Sequence, residues 1–258
     1  MVVSASKFEQ RVGEVTQSLS VLPVALMREK ITTNLADALD QVPGVVVVDG
    51  DPQIRAGSGF SYGAGSRVML LADGMPILSG DIGRPNWSFL PLEDVEQVEV
   101  IKGASSVLYG SAALSGVINV RTGWPGAAPK TRATVCGGAY DAPGQPDAKW
   151  WGGGPPITTG ASFLHSQRFK QFDLVVAANA LGDQGYIGPE RIAPDSLADE
   201  PYRLGTGGYD HRVRFTFATR WRNNKVKGLN YGLNGNVMKS RSTSIFLWDN
   251  LHEGLYRP

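Results

Sequence analysis

The sequence predicts an α+β domain over residues 1–122, followed by antiparallel β-strands over residues 123–258. Three observations support this division. The first half alternates short Val- and Ile-rich runs with Gly-rich loops and one amphipathic helical segment. The second half contains long runs in which apolar and polar residues alternate. The charge balance also changes, from −4 in the first half (9 Lys and Arg against 13 Asp and Glu) to +5 in the second (16 against 11).

The first predicted helix covers residues 31–42, where apolar side chains recur at helical spacing and Pro43-Gly44 ends the pattern. Residues 45–48 follow as an uninterrupted β-branched run, which predicts a buried strand. The apolar stripe of the helix consists of Leu35, Ala38, Leu39 and Val42.

The next segments predict a hairpin and the rest of a small mixed sheet. Asp73-Gly74 is a strong two-residue turn signal, and it separates a strand at residues 67–71 from one at residues 75–78. Two further strands are predicted at residues 95–101 and 116–122.

Two long Gly-rich segments, residues 56–66 and 79–88, lie between these strands. Neither ends in the Gly-Lys-Ser/Thr of a phosphate-binding loop or opens a helix within a βαβ unit, so nucleotide binding is not predicted. Both segments carry aromatic or amide side chains on glycine-hinged backbone, which suits a bulky amphipathic ligand.

The second half is dominated by alternation. Residues 212–222 place apolar side chains at odd positions and polar or small ones at even positions, and residues 227–241 alternate again. A soluble β-sandwich gives the same pattern. Aromatic residues at the end of the apolar face, Trp221 and Tyr231, and four arginines in one strand favour a membrane wall with a wet interior. Other strands are predicted at residues 131–140, 161–169, 172–182 and 244–250.

One motif gives a specific resemblance. Residues 99–121, EVIKGASSVLYGSAALSGVINVR, closely resemble the signature of the plug domain of TonB-dependent outer-membrane transporters. Further elements of that family occur in the same order over residues 1–122. They are VVSASKFEQ at residues 2–10, NLADALDQVPGVVV at 34–47, Ile54-Arg55 with Gly57, and VMLLADGMP at 68–76.

The resemblance implies a fold and a location. The fold is an α+β plug domain over residues 1–122, followed by antiparallel transmembrane β-barrel strands over residues 123–258. The location is the outer membrane of a Gram-negative bacterium. A barrel that encloses a plug has about 22 strands, and five or six are predicted here. The chain is therefore expected to hold the plug and roughly the first quarter of the wall, with the barrel incomplete.

The resemblance also implies roles for individual residues. The two Gly-rich segments correspond to apical plug loops that touch ligand. Val2, Val3, Ser4 and Ala5 match the end of a TonB box, the segment that pairs with the energy transducer. Arg55 and Lys102 correspond to plug residues that contact barrel carboxylates, with Glu96 and Glu99 as alternative local partners. The predicted ligand contacts are Phe60, Tyr62, Arg84, Asn86 and Trp87.

No catalytic, metal or cofactor site is predicted. The three histidines are far apart, the single Cys136 excludes an internal disulfide, and no concentrated basic stripe indicates nucleic-acid binding. The implied function is non-enzymatic import of a scarce, bulky ligand such as a ferric siderophore or cobalamin. The expected partners are a TonB-type transducer, that ligand and outer-membrane lipid. A ligand-binding signalling module and a non-functional transporter fragment remain alternatives.

Overall fold

The structure is a computed structural model. It describes residues 2–3, 10–11, 17–22, 24, 27, 35–48, 50–55, 57, 60–61, 65–142, 154–185, 209–226 and 228–243. The chain divides into two compact units, residues 1–124 and residues 125–258.

The first unit contains a mixed five-stranded sheet with the strand order β3 (Ser18–Leu22), β10 (Val95–Lys102), β11 (Gly116–Thr122), β8 (Val68–Ala72) and β9 (Met75–Pro76). Strand β10 runs antiparallel to both β3 and β11, whereas β11 runs parallel to β8. Helices α1 (Leu35–Leu39) and α2 (Ser106–Tyr109) lie among the described residues. The strands are β1 (Val2–Val3), β2 (Gln10–Arg11), β3 (Ser18–Leu22), β4 (Val45–Val48), β5 (Asp51–Ile54), β6 (Phe60–Ser61), β7 (Gly65–Ser66), β8 (Val68–Ala72), β9 (Met75–Pro76), β10 (Val95–Lys102) and β11 (Gly116–Thr122).

The predicted helix, hairpin and sheet strands of this unit are confirmed where the structure describes them. The helix covers Leu35–Leu39, and residues 31–34 lie outside the described residues. The prediction of a buried strand at residues 45–48 is wrong. In the part of the chain that the structure describes, β4 pairs with β5 alone, and Val46 and Val48 are 54% and 45% exposed. The run of valines therefore forms a two-stranded ribbon with one exposed face. Sequence periodicity alone cannot distinguish such a ribbon from a buried strand.

The core of the first unit packs α1 against the central sheet. Leu35 and Leu39 are fully buried and share one cluster with the apolar side chains of β8, β10 and β11. These sheet residues include Leu70, Val98, Val100 and Ile118.

The structure explains why two positions of these motifs carry Asp and Gly. Asp73 adopts a left-handed backbone conformation (φ 49°), and its carboxylate accepts hydrogen bonds from the Thr122 N–H at 2.9 Å and hydroxyl at 2.6 Å. The hairpin is thereby fixed to the end of β11. Gly116 has no room for a side chain, because a Cβ there would lie 2.5 Å from the Ile101 carbonyl oxygen and 2.6 Å from Ile54 Cδ1.

The second unit is an antiparallel meander of five strands that pair in chain order. The predicted strands are confirmed in type and place, with ends shifted by a few residues. Residues 244–250 lie outside the described residues. The strands are β12 (Lys130–Ala139), β13 (Ile157–Phe169), β14 (Phe172–Asp183), β15 (Tyr209–Arg222) and β16 (Asn230–Thr243).

Short and long connections separate to opposite ends of this sheet. Residues 170–171 and 223–229 join strands at one end, whereas residues 140–156 and 184–208 join them at the other. At the short-connection end, one register row across four strands is entirely aromatic. It consists of Phe169, Phe172, Trp221 and Tyr231.

The two faces of the sheet have an inverted polarity compared with a soluble protein. The first, which we call the apolar face, is exposed and carries Val135, Phe163, Phe169, Phe172, Val213, Phe215, Trp221, Tyr231, Leu233 and Val237. The second, which we call the charged face, carries buried Asp173, Arg212 and Arg214 beside a small cluster of Leu164, Val175 and Ala177. Exposed apolar side chains opposite buried charges are the pattern of a strand wall in lipid. Among the described residues, no helix is long and apolar enough to cross a membrane.

Candidate functional site

The two Gly-rich segments of the first unit lie side by side. The first contains the short hairpin β6–β7, in which Phe60 pairs with Ser66 and Ser61 pairs with Gly65. The Ser66 N–H donates to the Gly83 carbonyl at 3.1 Å. Gly65 (φ 71°) packs so closely that a Cβ there would lie 3.0 Å from the Ile82 carbonyl oxygen. We call β6–β7 together with residues 79–84 the loop pair.

The second member of the loop pair is a tight, internally bonded turn. The Ser79 N–H donates to the Arg84 carbonyl at 2.7 Å, and the Ser79 hydroxyl oxygen accepts the Arg84 N–H at 3.0 Å. At its tip, hydrogen bonds from the Ser79 side chain and from the Ile82 N–H lower the pKa of Asp81. Asp81 is exposed and Ile82 is 51% exposed, so the tip presents a carboxylate next to an apolar side chain.

Arg84 lies at the base of this turn and is held by a carboxylate. Its guanidinium lies 2.9 Å from Asp51 of β5, which is buried, while the Arg84 side chain is 40% exposed. The pair therefore connects the loop to the β4–β5 ribbon and leaves part of the Arg84 side chain facing solvent. A fixed, half-exposed arginine can donate hydrogen bonds to an anionic or carbonyl-rich ligand.

Trp87 differs from the sequence prediction in its surroundings. It is only 9% exposed, belongs to the main core cluster and donates its indole N–H to the Gly50 carbonyl at 2.7 Å. This placement gives Trp87 a packing role beneath the loop pair, and its contact with ligand stays a prediction. Asn86 precedes it at the start of a 3-10 turn, half-buried, with its N–H bonded to the Ile77 carbonyl.

The remaining predicted contacts can be placed only in part. Phe60 lies in β6, and Tyr62 lies outside the described residues. Val2 and Val3 form β1, which pairs with β2 in a separate two-stranded ribbon rather than joining the central sheet. The other two residues of that predicted segment, Ser4 and Ala5, also lie outside the described residues.

The two predicted plug–barrel residues have clear positions within the first unit. Lys102 Nζ donates to the Pro43 carbonyl at 2.6 Å, near the end of α1 where a cation is favourable. Arg55 is exposed, with φ 54° and its N–H bonded to the Gly44 carbonyl. Glu99, proposed as a local partner, is fully buried and instead lies 3.6 Å from Arg121. The barrel contacts of Arg55 and Lys102 stay predictions.

Sequence reasoning missed one charged cluster in the second unit. Asp173 is fully buried on the charged face and pairs with Arg168 at 3.1 Å, Arg220 at 2.7 Å, and Arg222. The available signal was the two-residue turn at residues 170–171. That turn fixes the register of β13 and β14 and places Arg168 directly opposite Asp173. Arg220 lies opposite Asp173 on β15, which follows a long connection, so nothing in the sequence indicated its position. Within the described ranges, no group of His, Cys, Asp and Glu could hold a metal ion.

Comparison with known proteins identifies the first unit. Residues 11–117 match the family model described as TonB-dependent Receptor Plug Domain. Residues 11–117 are a plug domain of the TonB-dependent receptor family. Both the plug fold and the antiparallel strands that follow it match receptors of this family, and the barrel is partial in this chain. The receptors of this family are proteins of the Gram-negative outer membrane, and this assigns the chain to that membrane.

The chain matches individual relatives over only part of their length. The vitamin B12 transporter BtuB of Vibrio vulnificus (strain CMCP6) is 39% identical over 123 residues, which is 47% of this chain and 20% of that protein. An iron-regulated outer membrane virulence protein of Vibrio cholerae serotype O1 is 36% identical over 135 residues, again 47% and 20%. The chain thus matches about a fifth of the length of these relatives.

A solved TonB-dependent receptor has the same fold over nearly the whole chain. The ferripyoverdine receptor of Pseudomonas aeruginosa superposes with a TM-score of 0.64, covering 94% of this chain and 28% of that one. At 14% sequence identity, this match shows the fold alone.

Proposed function

We propose that this chain supplies the plug and the first part of the barrel wall of a TonB-dependent importer for a scarce, bulky ligand. The ligand class is cobalamin or a ferric siderophore. The relatives named above support both choices, since one is a vitamin B12 transporter and another is iron-regulated. The role is transport without catalysis, in keeping with relatives that are transporters and receptors.

The observation that carries this proposal is the loop pair. Its two members are joined by main-chain contact between Ser66 and Gly83, and its tip exposes Asp81 and Ile82 beside the half-exposed Arg84. A carboxylate, an apolar side chain and a guanidinium on one rigid turn can contact a large ligand that has both apolar and polar surface. Trp87 anchors this turn to the plug core from below.

The loop pair also has a short path into the plug sheet. Ser66 ends β7, and its hydroxyl donates to the Val68 carbonyl at 2.8 Å, in the first residue of β8. A ligand that shifts the loop pair would therefore act on a central sheet strand within a few residues. This supports a plug that responds to ligand, which a gated importer requires.

The coupling partner in this proposal is a TonB-type energy transducer that adds a strand to the N-terminal segment. Strand β1 is only two residues long, and in the described part of the chain it pairs with β2 alone. Strand β1 therefore has one edge open to an incoming strand, and few hydrogen bonds to β2 would be lost if it changed partner. Recognition by strand addition depends mainly on main-chain hydrogen bonds, so Val2 and Val3 would contribute their backbone.

Ligand binding tests the loop pair. In the full-length receptor, Asp81→Ala combined with Ile82→Ser should weaken binding of its ligand by about 1–3 kcal/mol if the tip is a central contact. Cyanocobalamin and a panel of ferric siderophores, each titrated by calorimetry, identify which class binds. Ser88→Ala, in the 3-10 turn below the tip, is the matched control. Unchanged affinity in the double variant would remove the tip from the ligand site.

Uptake tests the coupling segment separately. Val3→Pro removes a backbone donor, so it should abolish energised uptake while external binding persists. Val3→Ala keeps that donor and should leave uptake intact. Retained uptake in Val3→Pro would place the pairing segment elsewhere in the receptor, and loss of both binding and uptake would show that β1 is needed for folding.

A further inference from the structure

One arginine fixes the chain at the point where the second unit begins. Pro125, the first residue of that unit, is buried. Its carbonyl accepts a hydrogen bond from Arg168 Nη2 at 2.7 Å, and Nε of the same guanidinium donates to the Asp173 carboxylate at 3.1 Å. We call the bond between Arg168 and Pro125 the linker clamp. It joins residues 43 positions apart and fastens the chain ahead of β12 to the end of β13.

The charged cluster makes the linker clamp a firm anchor. Asp173 is fully buried and is bonded by Arg220 and Arg222 as well as by Arg168. Arg222 also donates to the Lys170 carbonyl at 2.7 Å, in the turn that directly follows β13. The carboxylate is thus held independently from β15. A charge-assisted hydrogen bond to that carboxylate fixes the direction in which the Arg168 guanidinium points.

The plug side of the connection is bonded just as closely. The Gly123 N–H donates to the Asp94 carbonyl at 2.8 Å. Gly123 is therefore bonded within the first unit and Pro125 within the second, and the one residue between them is Trp124. The chain from Gly123 to Pro125 can reach about 7 Å at most. It has almost no length to give while both bonds hold.

We propose that Arg168 is a positioning residue that holds the connection between plug and wall closed, both at rest and while ligand is imported. Both partners of the linker clamp, and the carboxylate behind it, belong to the second unit. A rearrangement within the plug therefore breaks none of these bonds. The clamp at rest is independent of the import function proposed above, and its persistence during uptake rests on that function.

Thiol labelling of the full-length receptor in detergent measures how often the linker clamp opens. Pro125→Cys, in a background without other cysteines that includes Cys136→Ser, places a buried thiol at the clamp and keeps the backbone carbonyl. A maleimide should label this thiol slowly when Arg168 is intact. Adding Arg168→Gln should raise the labelling rate about tenfold or more, the effect of losing a hydrogen bond that involves a charged group. Equal labelling rates with and without Arg168→Gln, slow or fast, would overturn the proposal.

Arg220→Gln is the matched control. It also takes one guanidinium away from Asp173, but it leaves the bond between Arg168 and Pro125 in place. The labelling rate at residue 125 should therefore stay close to that of the receptor with both arginines. An equal rise in both variants would overturn the proposal, because general loosening of the charged cluster would then expose Pro125.

A second position repeats the comparison with Pro125 unchanged. Gly126 is exposed and has open space at its Cβ, so Gly126→Cys should be labelled quickly in every background, which shows that the reagent reaches this segment. A nitroxide attached there should give a narrower spectrum with Arg168→Gln and an unchanged one with Arg220→Gln. If Pro125→Cys does not fold, an unchanged nitroxide spectrum in Arg168→Gln overturns the proposal.

Uptake tests the linker clamp at work. In cells that import cyanocobalamin or a ferric siderophore through the Pro125→Cys receptor, labelling at residue 125 should be as slow with the ligand as without it. Faster labelling during uptake would overturn the persistence of the clamp. If the parent receptor takes up neither ligand, that result counts against the import function alone, since labelling in detergent needs neither ligand nor energy transducer.

Discussion

Replacing Asp173 with Asn tests whether the charged face of the barrel wall is held together by its buried carboxylate. Asp173 is fully buried and lies within 3.1 Å of Arg168 and 2.7 Å of Arg220, with Arg222 also bonded to it. The variant keeps the shape of the side chain and removes its negative charge. Three guanidinium groups from strands β13 and β15 would then face one another without a counter-charge.

The magnitude follows from burial and from the partners. Removing one member of a buried ion pair costs about 3–5 kcal/mol. The three arginine side chains retain 38%, 23% and 27% of their exposure, so water screens part of the charge left behind. We therefore expect the free energy of unfolding to fall by about 2–4 kcal/mol.

Equilibrium urea unfolding of the full-length receptor in lipid vesicles measures this loss. Asp183→Asn, at the other end of the same strand, is the matched control. Asp183 accepts hydrogen bonds from the Tyr140 hydroxyl and the Gly185 N–H. Both donors are neutral, and the side-chain oxygen of Asn can accept hydrogen bonds from them as well. Its replacement should cost about 1 kcal/mol or less. Adding Arg222→Gln to the Asp173 variant should recover part of the loss by removing one unpaired charge. Equal destabilisation by the Asp173 and Asp183 variants would refute this account of the cluster.

Two predictions concern the plug. Trp87→Ala should destabilise the plug by about 3–5 kcal/mol because a buried indole is lost from the core, whereas Trp87→Phe should cost about 1–2 kcal/mol, mainly through the bond to the Gly50 carbonyl. Hydrogen exchange of helix α1 measures both, and a change in ligand affinity with unchanged protection would instead make Trp87 a ligand contact. Gly116→Ala should destabilise the sheet by at least about 1–3 kcal/mol, since the new methyl group would overlap the Ile101 carbonyl oxygen. Gly126→Ala, which meets nothing within 4 Å, is its control, and equal protease resistance of the two variants would contradict the prediction.

The fold could be predicted well from sequence because local signals and motif order agreed. Asp73-Gly74 predicted the β8–β9 hairpin, and the strict alternation of residues 212–222 predicted β15 with its apolar face outward. The β4 strand was misjudged because a run of four valines carries no information about what covers it. Only the pairing with β5 shows that one face stays open.

The candidate site was harder to predict, because the chemical type of a residue does not determine whether its side chain is buried. Trp87 and Arg84 are three residues apart in one Gly-rich segment, yet one belongs to the core and the other is half-exposed. The difference arises from Gly50 and Asp51 of a distant turn and strand, which bond the indole and the guanidinium respectively. The Asp173 cluster depends on cross-strand register, which a sequence gives only where short turns fix it.

The strand order of the plug sheet determines how it would respond to tension. Among the described strands, β3 occupies an edge of the sheet and pairs with β10 alone, from Ser18–Lys102 to Leu22–Val98. The other end of the unit is clamped, because Asp73 fastens the hairpin to Thr122, where β11 ends. A pull on the chain before Ser18 would therefore peel away one edge strand while β10, β11 and β8 remain paired.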